Sequence, residues 1–385
     1  MCRTFTQIIQ PAVTALIAAN YLSVHMNVPW PMLPWYWKVY RAAKVFLVVL
    51  MFPDWIFIWA LRNFIVVLRA RDRLKAARAS AHSEWAAHGD DPETPPPWRN
   101  RTRFFTAVDK TDGTPMFPLD VDTTIMLITN SRILLPRKET IEGLSKTTYL
   151  GQSFAAFELS VFLLKCVRRL VEGLPLANLE VMAFVHASIV IFTFIPWWYK
   201  LMALDEPMCV PIESVESVTY TYIFGNQESL YTLCHLRGVP TFWSGDPDNI
   251  FVMPQLDEPP PSAPEPAYFL ASAAGIPFIV TFGLIHWLAS SSNTPATEAE
   301  RVLWHGAAIA ITVVPTAPVL GYLLTVIPIL LGNDEWQLHI MIIMMVLTGT
   351  AYVVAQVILL AVTCISLHRM PFPVYQTGNL PEFFH

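Results

Sequence analysis

The chain has 385 residues, 54% of them hydrophobic and 14% charged, with a formal net charge of -5. Soluble domains carry about 25% charged residues, so a shortfall spread over long apolar segments implies a chain dissolved in lipid for much of its length. The mild charge gives no case for a nucleic-acid partner. The five cysteines (Cys2, Cys166, Cys209, Cys234, Cys364) form no CxxC pair, and an odd, scattered set argues against a disulfide framework or a zinc site.

A helix needs about 20 largely apolar residues to cross the hydrocarbon core. Seven runs approach that length: 5–24, 45–68, 151–167, 179–199, 267–289, 304–331 and 338–367. The expected fold is therefore an all-α polytopic membrane protein with six or seven spans and two polar cytoplasmic inserts. The first run holds Gln7, Gln10 and Asn20. It also has the basic flank (Arg3) and the small-residue site near Ala19 of a cleaved signal, although Gln10-Pro11 interrupts the apolar core a signal needs. Residues 1–68 form the N-terminal membrane part, a hairpin or a span plus a re-entrant helix. Glu158 and Lys165 interrupt the third run; they lie seven apart on one helical face, which should look into the bundle or the interface. Segments 151–199 and 267–385 read as a two-helix hairpin and a three-helix part.

The first insert, 69–150, opens on Arg69, Arg71, Arg73, Lys75 and Arg78 and continues through "HGDDPETPPPWRNR", a flexible linker by composition. Beyond it short helices are expected, one capped by Asp120 or Asp122 and one opened by Pro136. The second insert, 200–266, alternates apolar and polar residues in "ESVTYTYIF" and "ESLYTLCHL", the pattern of a small hairpin, and ends in a Pro-rich linker. The first insert carries 13 of the 25 Lys and Arg residues, which holds it on the cytoplasmic side.

Several segments together resemble a large family of fungal multi-span integral membrane proteins that carries no assigned activity. They are Cys2-Arg3-Thr4 at the start, His25-Met26-Asn27-Val28-Pro29 after the first run, and Pro53-Asp54 inside the second. Further on come "GLPLANLEVMAF", "WWYK", "GLIHWLA", "EAERVLW" and the closing "ISLHRMPFPVYQTGNLPEFFH". The resemblance covers nearly the whole chain and implies a shared membrane fold. The chain departs from the family at Thr140 and Gly143, where acids are common, and at His305 and Gln356, where arginines are usual.

The stretch "FPDWIFIWALR" carries a proline, an aspartate and an arginine inside an apolar run, and an intramembrane charge needs a reason. Proline suits the first turn of a helix and aspartate the positive end of its dipole. Pro53-Asp54 thus fits a second helical piece beginning after a break, with Arg62 snorkelling toward Arg69; the other reading makes Asp54 an acid lining a polar cavity. The break leaves open a re-entrant second run, with the N-terminus outside and the large insert still inside. His186 and His286 read as helix–helix contacts or as ligands, His305 and His339 as interfacial groups, and Glu300 with Trp304 as an interfacial anchor. Ala271/Gly275 and Gly306/Ala310 suggest close helix packing. "DDPET" and "NDEWQ" are broken prenyl-diphosphate patterns, and there is no HExxH, phosphate loop or GxSxG.

Three classes of function remain: a channel, transporter or sensor acting on an ion or small lipophilic ligand; an enzyme of fungal secondary metabolism acting on a terpenoid or polyketide intermediate; and a scaffold. The enzyme requires Asp54, His286 and Glu300 to meet in one cavity. The expected partner is the bilayer of the plasma membrane or endoplasmic reticulum, with no cofactor and no metal.

Overall fold

A computed structural model describes residues 2–23, 34–88, 105–109, 115–118, 125, 149–198, 208–212, 267–292, 297–316 and 334–377. In these the chain is predominantly helical: α1 (Phe5–Ser23), α2 (Trp35–Met51), α3 (Pro53–His88), α4 (Tyr149–Val171), α5 (Asn178–Trp197), α6 (Ala267–Ser292), α7 (Glu298–Val313), α8 (Asp334–Ser366) and the short α9 (Phe372–Tyr375).

Helix α5 is the centre. It is apolar on every side, the composition of a helix surrounded by others, and residues from Leu179 to Trp197 are buried around its whole girth. On one flank α1 lays a stripe of small residues against it, Ala12, Ala15 and Ala19, within a core that includes Ala183 and Ala187 of α5. Small side chains let two backbones approach closely where no water is present to drive association. The same core takes Leu159, Phe162 and Cys166 from α4, Trp304, Ala307 and Ile311 from α7, and Tyr352, Ala355, Leu359 and Val362 from α8. Helix α3 packs on α5 and α6. Gly275 permits that packing, because a Cβ there would stand 2.8 Å from Ile58 Cγ1, whereas one at Gly306 would meet nothing. The suggested close approach thus exists at Gly275 and not at Gly306.

The turn from α4 to α5 is built from local sequence. Gly173 takes φ of 71°, which glycine adopts at little cost. The Gly173 and Leu174 amides donate to the Leu170 and Arg169 carbonyls, closing the end of α4 as a Schellman motif.

The sequence expectation needs correcting at four points. Two described helices are long and apolar enough to cross a membrane, Asn178–Trp197 and Val346–Arg369, or three if the bent pair Trp35–Met51 plus Pro53–Ala77 makes one span. That is fewer than six or seven by length and composition. Charges dilute α4, the stretch of α6 described as apolar is Ala273–Leu288, and the run beginning at Trp304 continues past 316, outside the described residues. Second, the boundary at 68 falls inside a helix, because α3 continues through the basic cluster to His88. Third, of the two surroundings expected for Glu158 and Lys165 the bundle is not the one found, since both are exposed, beside exposed Phe154, Phe157 and Leu164.

Fourth, the fold is not wholly α. Strands β1 (Phe105–Asp109), β2 (Pro115–Pro118) and β3 (Met208–Ile212) form one sheet in the order β2-β1-β3. Strand β1 pairs antiparallel with β2 and parallel with β3, from Phe105 opposite Met208 to Asp109 opposite Ile212. Prolines occupy only the edge strands, where a missing N–H is tolerated. The sheet therefore joins the two inserts. The expected hairpin in 216–236 and most of the expected short helices lie outside the described residues, apart from Ile125, which is helical.

Candidate functional site

The two halves of the second apolar run meet at Phe52, where the axis turns by 107°. Pro53 opens α3 and Asp54 sits in its first turn, at the positive end of the dipole. A helix end leaves carbonyls and amides without helical partners, and at this break side chains from distant helices supply contacts. The ring nitrogens of His186 lie 2.9 Å from the Met182 carbonyl and 3.2 Å from that of Leu50. A neutral imidazole can donate to one of the two and an imidazolium to both.

Asp54 is buried, and its Oδ2 accepts a 2.8 Å hydrogen bond from the Tyr352 hydroxyl of α8. That hydroxyl accepts in turn from Gln356 Nε2 at 3.0 Å. The Phe52 ring stacks on Tyr352 with centroids 5.3 Å apart. Asp54 is thus a first-turn acid, as the capping reading expects, and also the end of a buried polar chain. Arg62, two turns on, is half-buried.

His286 and Glu300 belong to a second cluster, at the α6–α7 connection. Trp304 Nε1 donates to the His286 carbonyl at 2.9 Å, and the two rings lie 6.2 Å apart. His286 Nδ1 is 3.1 Å from the Phe282 carbonyl. The Glu300 amide donates to Thr297 Oγ1, an N-cap bond, while its buried Oε2 has no hydrogen-bond partner among the described residues. Among those residues no hydrogen bond or ion pair joins Asp54 to His286 or Glu300. His305 lies outside this cluster, its Nδ1 2.8 Å from the Arg301 carbonyl, and His339 lies in α8.

A third cluster ties the chain ends together. Arg3 reaches Glu180 with both terminal nitrogens, at 2.6 and 3.2 Å, and donates also to the Val374 carbonyl. The Arg3 amide donates to the Tyr375 carbonyl, and Cys2 bridges to Gln376. Arg169 donates to the carbonyls of Pro175, Val374 and Gln376. Glu180 Oε2 also accepts from the Ala177 amide, closing the start of α5. Three segments that carry the family resemblance, the Cys-Arg-Thr start, "GLPLANLE" and "PFPVYQT", meet here.

No family model, no curated protein and no solved structure matches the chain. Among the described residues, no group of three or more His, Cys, Asp or Glu could hold a metal ion. The sequence reading missed Tyr352, Arg169 and the pairing of Arg3 with Glu180, and met Gln356 only as a departure from the family. One signal was available: Tyr352 and Gln356 stand four apart in an apolar run, on one helical face. What the arrangement can do chemically is hold a proton or cation between an acid, a phenol and an amide at an interrupted helix.

Proposed function

We propose that this chain is a multi-pass membrane protein of the fungal family it resembles, crossing the bilayer six times, with α2 and α3 as a re-entrant pair. Parity supports this reading. Hydrogen bonds join Arg3 to Val374 and Tyr375, which favours both on one face and an even number of crossings between them. Seven single crossings would separate them. The β1–β3 pairing requires both inserts on one face, with α4 and α5 crossing between them. The break lies at mid-depth, because Leu50 meets His186, the ninth of the twenty residues of α5. From there Val45 and Val49 pack with Trp197 at the far end of α5, toward the insert face. Helices α5 and α8 are long and apolar enough by themselves; with α1, α4, α6 and α7 as further crossings the count is six. Lys38, Arg41, Lys44 and the insert cations lie inside, leaving Arg3, Arg168, Arg169, Arg301 and Arg369 outside, in keeping with the positive-inside rule.

On that architecture the protein is a non-enzymatic channel or transporter for a proton or small cation, with Asp54 as the titrating or cation-binding group. Interrupted backbone at membrane depth is tolerated only inside protein or along a water-filled cavity, and half-helix ends are where transporters hold coupling ions. The observation that carries the reading is the Asp54–Tyr352–Gln356 chain at the break. The enzyme reading has no comparable observation in its favour: among the described residues no hydrogen bond joins Asp54 to His286 or Glu300.

The test is flux in proteoliposomes holding the purified full-length protein and a pH-sensitive dye, under imposed H+, Na+ or K+ gradients. Wild-type protein should carry one of these. Asp54→Asn, which keeps an acceptor for Tyr352, should fold and lose at least about 90% of the flux, since a neutral amide neither titrates nor neutralises a cation. Flux unchanged in Asp54→Asn, or absent for all three ions in the wild type, overturns the proposal.

A further inference from the structure

Among the described residues, six carboxyl, imidazole and guanidinium side chains are buried: Asp54, Arg169, Glu180, His186, His286 and Glu300. Arg169 and Glu180 belong to the clamp at the chain ends. The other four follow one another from the break to the outer face. Asp54 and His186 stand at the two sides of the break, one in the first turn of α3 and the other against the Leu50 carbonyl. Val185, next to His186, packs in one cluster with Phe282, one turn before His286, and the two imidazoles interact electrostatically. Helix α6 starts from the insert face, and His286 is the twentieth of its 26 residues, so it lies nearer the opposite face. There Trp304 bonds the His286 carbonyl, and Glu300 lies one turn before Trp304 on the same side of α7. Glu300 is 9% exposed, and its buried Oε2 has no hydrogen-bond partner among the described residues. An unsatisfied buried acceptor costs free energy, which a proton arriving there relieves.

We infer that Asp54, His186, His286 and Glu300 form a proton relay from the break to the outer face, so that the ion carried is H+ and not Na+ or K+. Each imidazole has one nitrogen engaged: Nδ1 of His186 faces the Met182 carbonyl at 2.9 Å, and Nδ1 of His286 faces that of Phe282 at 3.1 Å. With Nδ1–H donating, Nε2 keeps its lone pair and accepts the travelling proton. At His186 the new N–H meets the Leu50 carbonyl, so the charged ring satisfies two carbonyls and the neutral ring only one. In one passage Asp54 gives its proton to water and becomes a carboxylate. His186 and then His286 each take a proton at Nε2 and release it from the same nitrogen. Glu300 takes it at Oε2 and passes it to water outside, and a proton from the inner side restores Asp54. Water carries each hop, as interrupted backbone along a wet cavity allows. No electrons move, and each ring returns to its starting tautomer. Alkali cations replace their hydration shells with oxygen ligands, and two of the four stations are imidazoles.

The inference rests on the channel reading and narrows it to one ion and one route. Its test is flux through full-length protein in proteoliposomes under imposed H+, Na+ or K+ gradients, with folding checked by thermal unfolding in detergent. Wild-type protein should carry H+ and neither alkali cation. His286→Gln and Glu300→Gln keep a polar side chain that cannot relay a proton, and each should lower H+ flux at least about tenfold. Glu300→Asp keeps a carboxyl and should retain about half of the flux or more, whereas a purely structural Glu300 would be replaced as well by glutamine as by aspartate. Normal H+ flux in folded His286→Gln or Glu300→Gln overturns the relay and leaves the channel reading standing, as does wild-type flux of Na+ or K+ without H+. Absence of flux for all three ions overturns both. If the glutamine variants do not fold, wild-type protein decides. A lipophilic carbodiimide attacks protonated carboxyls, and peptide mass spectrometry should find it on Glu300; an unmodified Glu300 overturns the relay.

Discussion

Helices α5 and α8 are both apolar enough to cross a membrane, yet 72% of the apolar window of α5 is buried against 33% for α8. Hydropathy alone does not separate them. The arrangement of their polar residues does. In α5, Glu180, His186, Ser188 and Thr193 are all buried, each with a hydrogen bond, and they point in several directions because the helix has neighbours all round. In α8, Tyr352, Gln356 and Thr363 share a stripe with Ala355, Leu359 and Val362, while Val346, Leu347, Val354, Val357 and Ile365 are exposed. Apolarity thus reports that a helix enters lipid, and the period of its polar residues reports which side stays in contact with protein.

The strongest way to break the contrast is at the start of α5. Glu180 is held by Arg3 and by the Ala177 amide, and removing one member of a buried pair leaves the other charge without compensation. Glu180→Ala should therefore cost about 3 kcal/mol, seen as a lowered midpoint of thermal unfolding in detergent. Pairing it with Arg3→Met should cost less than the sum of the two changes, because they share one interaction. Strict additivity would mean the clamp contributes nothing.

A matched truncation sharpens the comparison. Val190 in α5 is 4% exposed and Val354 in α8 is 51% exposed. Val190→Ala opens a cavity and should destabilise by about 2 kcal/mol, whereas Val354→Ala should stay within about 0.5 kcal/mol. Equal losses would mean that the outer face of α8 is covered in the protein as it exists in the membrane.

The sequence made the helical character legible, since six of the seven apolar runs lie largely on described helices and the run from 304 begins on one, and Pro53-Asp54 marks the break. Its limits are equally physical. Asp54 and Tyr352 are 298 positions apart, and no periodicity within either run points to the other. Strands β1 and β3 are short, β3 carries a proline, and the two pair in parallel across the helices α4 and α5. Arg3 and Glu180 look like ordinary flanking charges until the chain ends are brought together. Local pattern recovers elements; it does not recover which elements meet.

A smaller effect is expected where α8 touches the break. Tyr352→Phe keeps the ring stack on Phe52 and removes only the hydroxyl that bonds Asp54 and Gln356. The loss should be about 1.5 kcal/mol, at the lower end for a hydrogen bond to a charged group. Asp54→Asn should suppress most of that penalty in the double variant, because a neutral amide tolerates a missing partner better than a carboxylate. If Tyr352→Phe costs the same on both backgrounds, the bond contributes nothing specific to the acid.

The smallest perturbation asks on which side each helix ends. Helix α5 runs from the clamp toward the sheet, and α8 runs back to the clamp, so their C-terminal ends should lie on opposite faces of the membrane. Asn100-Arg101-Thr102 is an acceptor sequon in the first insert, on the face where α5 ends. The cations from Arg69 to Arg78 should hold that face in the cytoplasm, and the site should remain unmodified despite its Pro-rich surroundings. On the α8 side, Pro381→Thr converts Asn379-Leu380 into a second sequon beyond α9. Glycosidase treatment of cells expressing that variant should change its mobility by one glycan, lost again in Asn379→Gln, while the parent chain does not shift. A shift of the parent that disappears in Asn100→Gln would invert the orientation. Modification of both sites together would put the sheet and the clamp on one face and break the odd count of crossings between them.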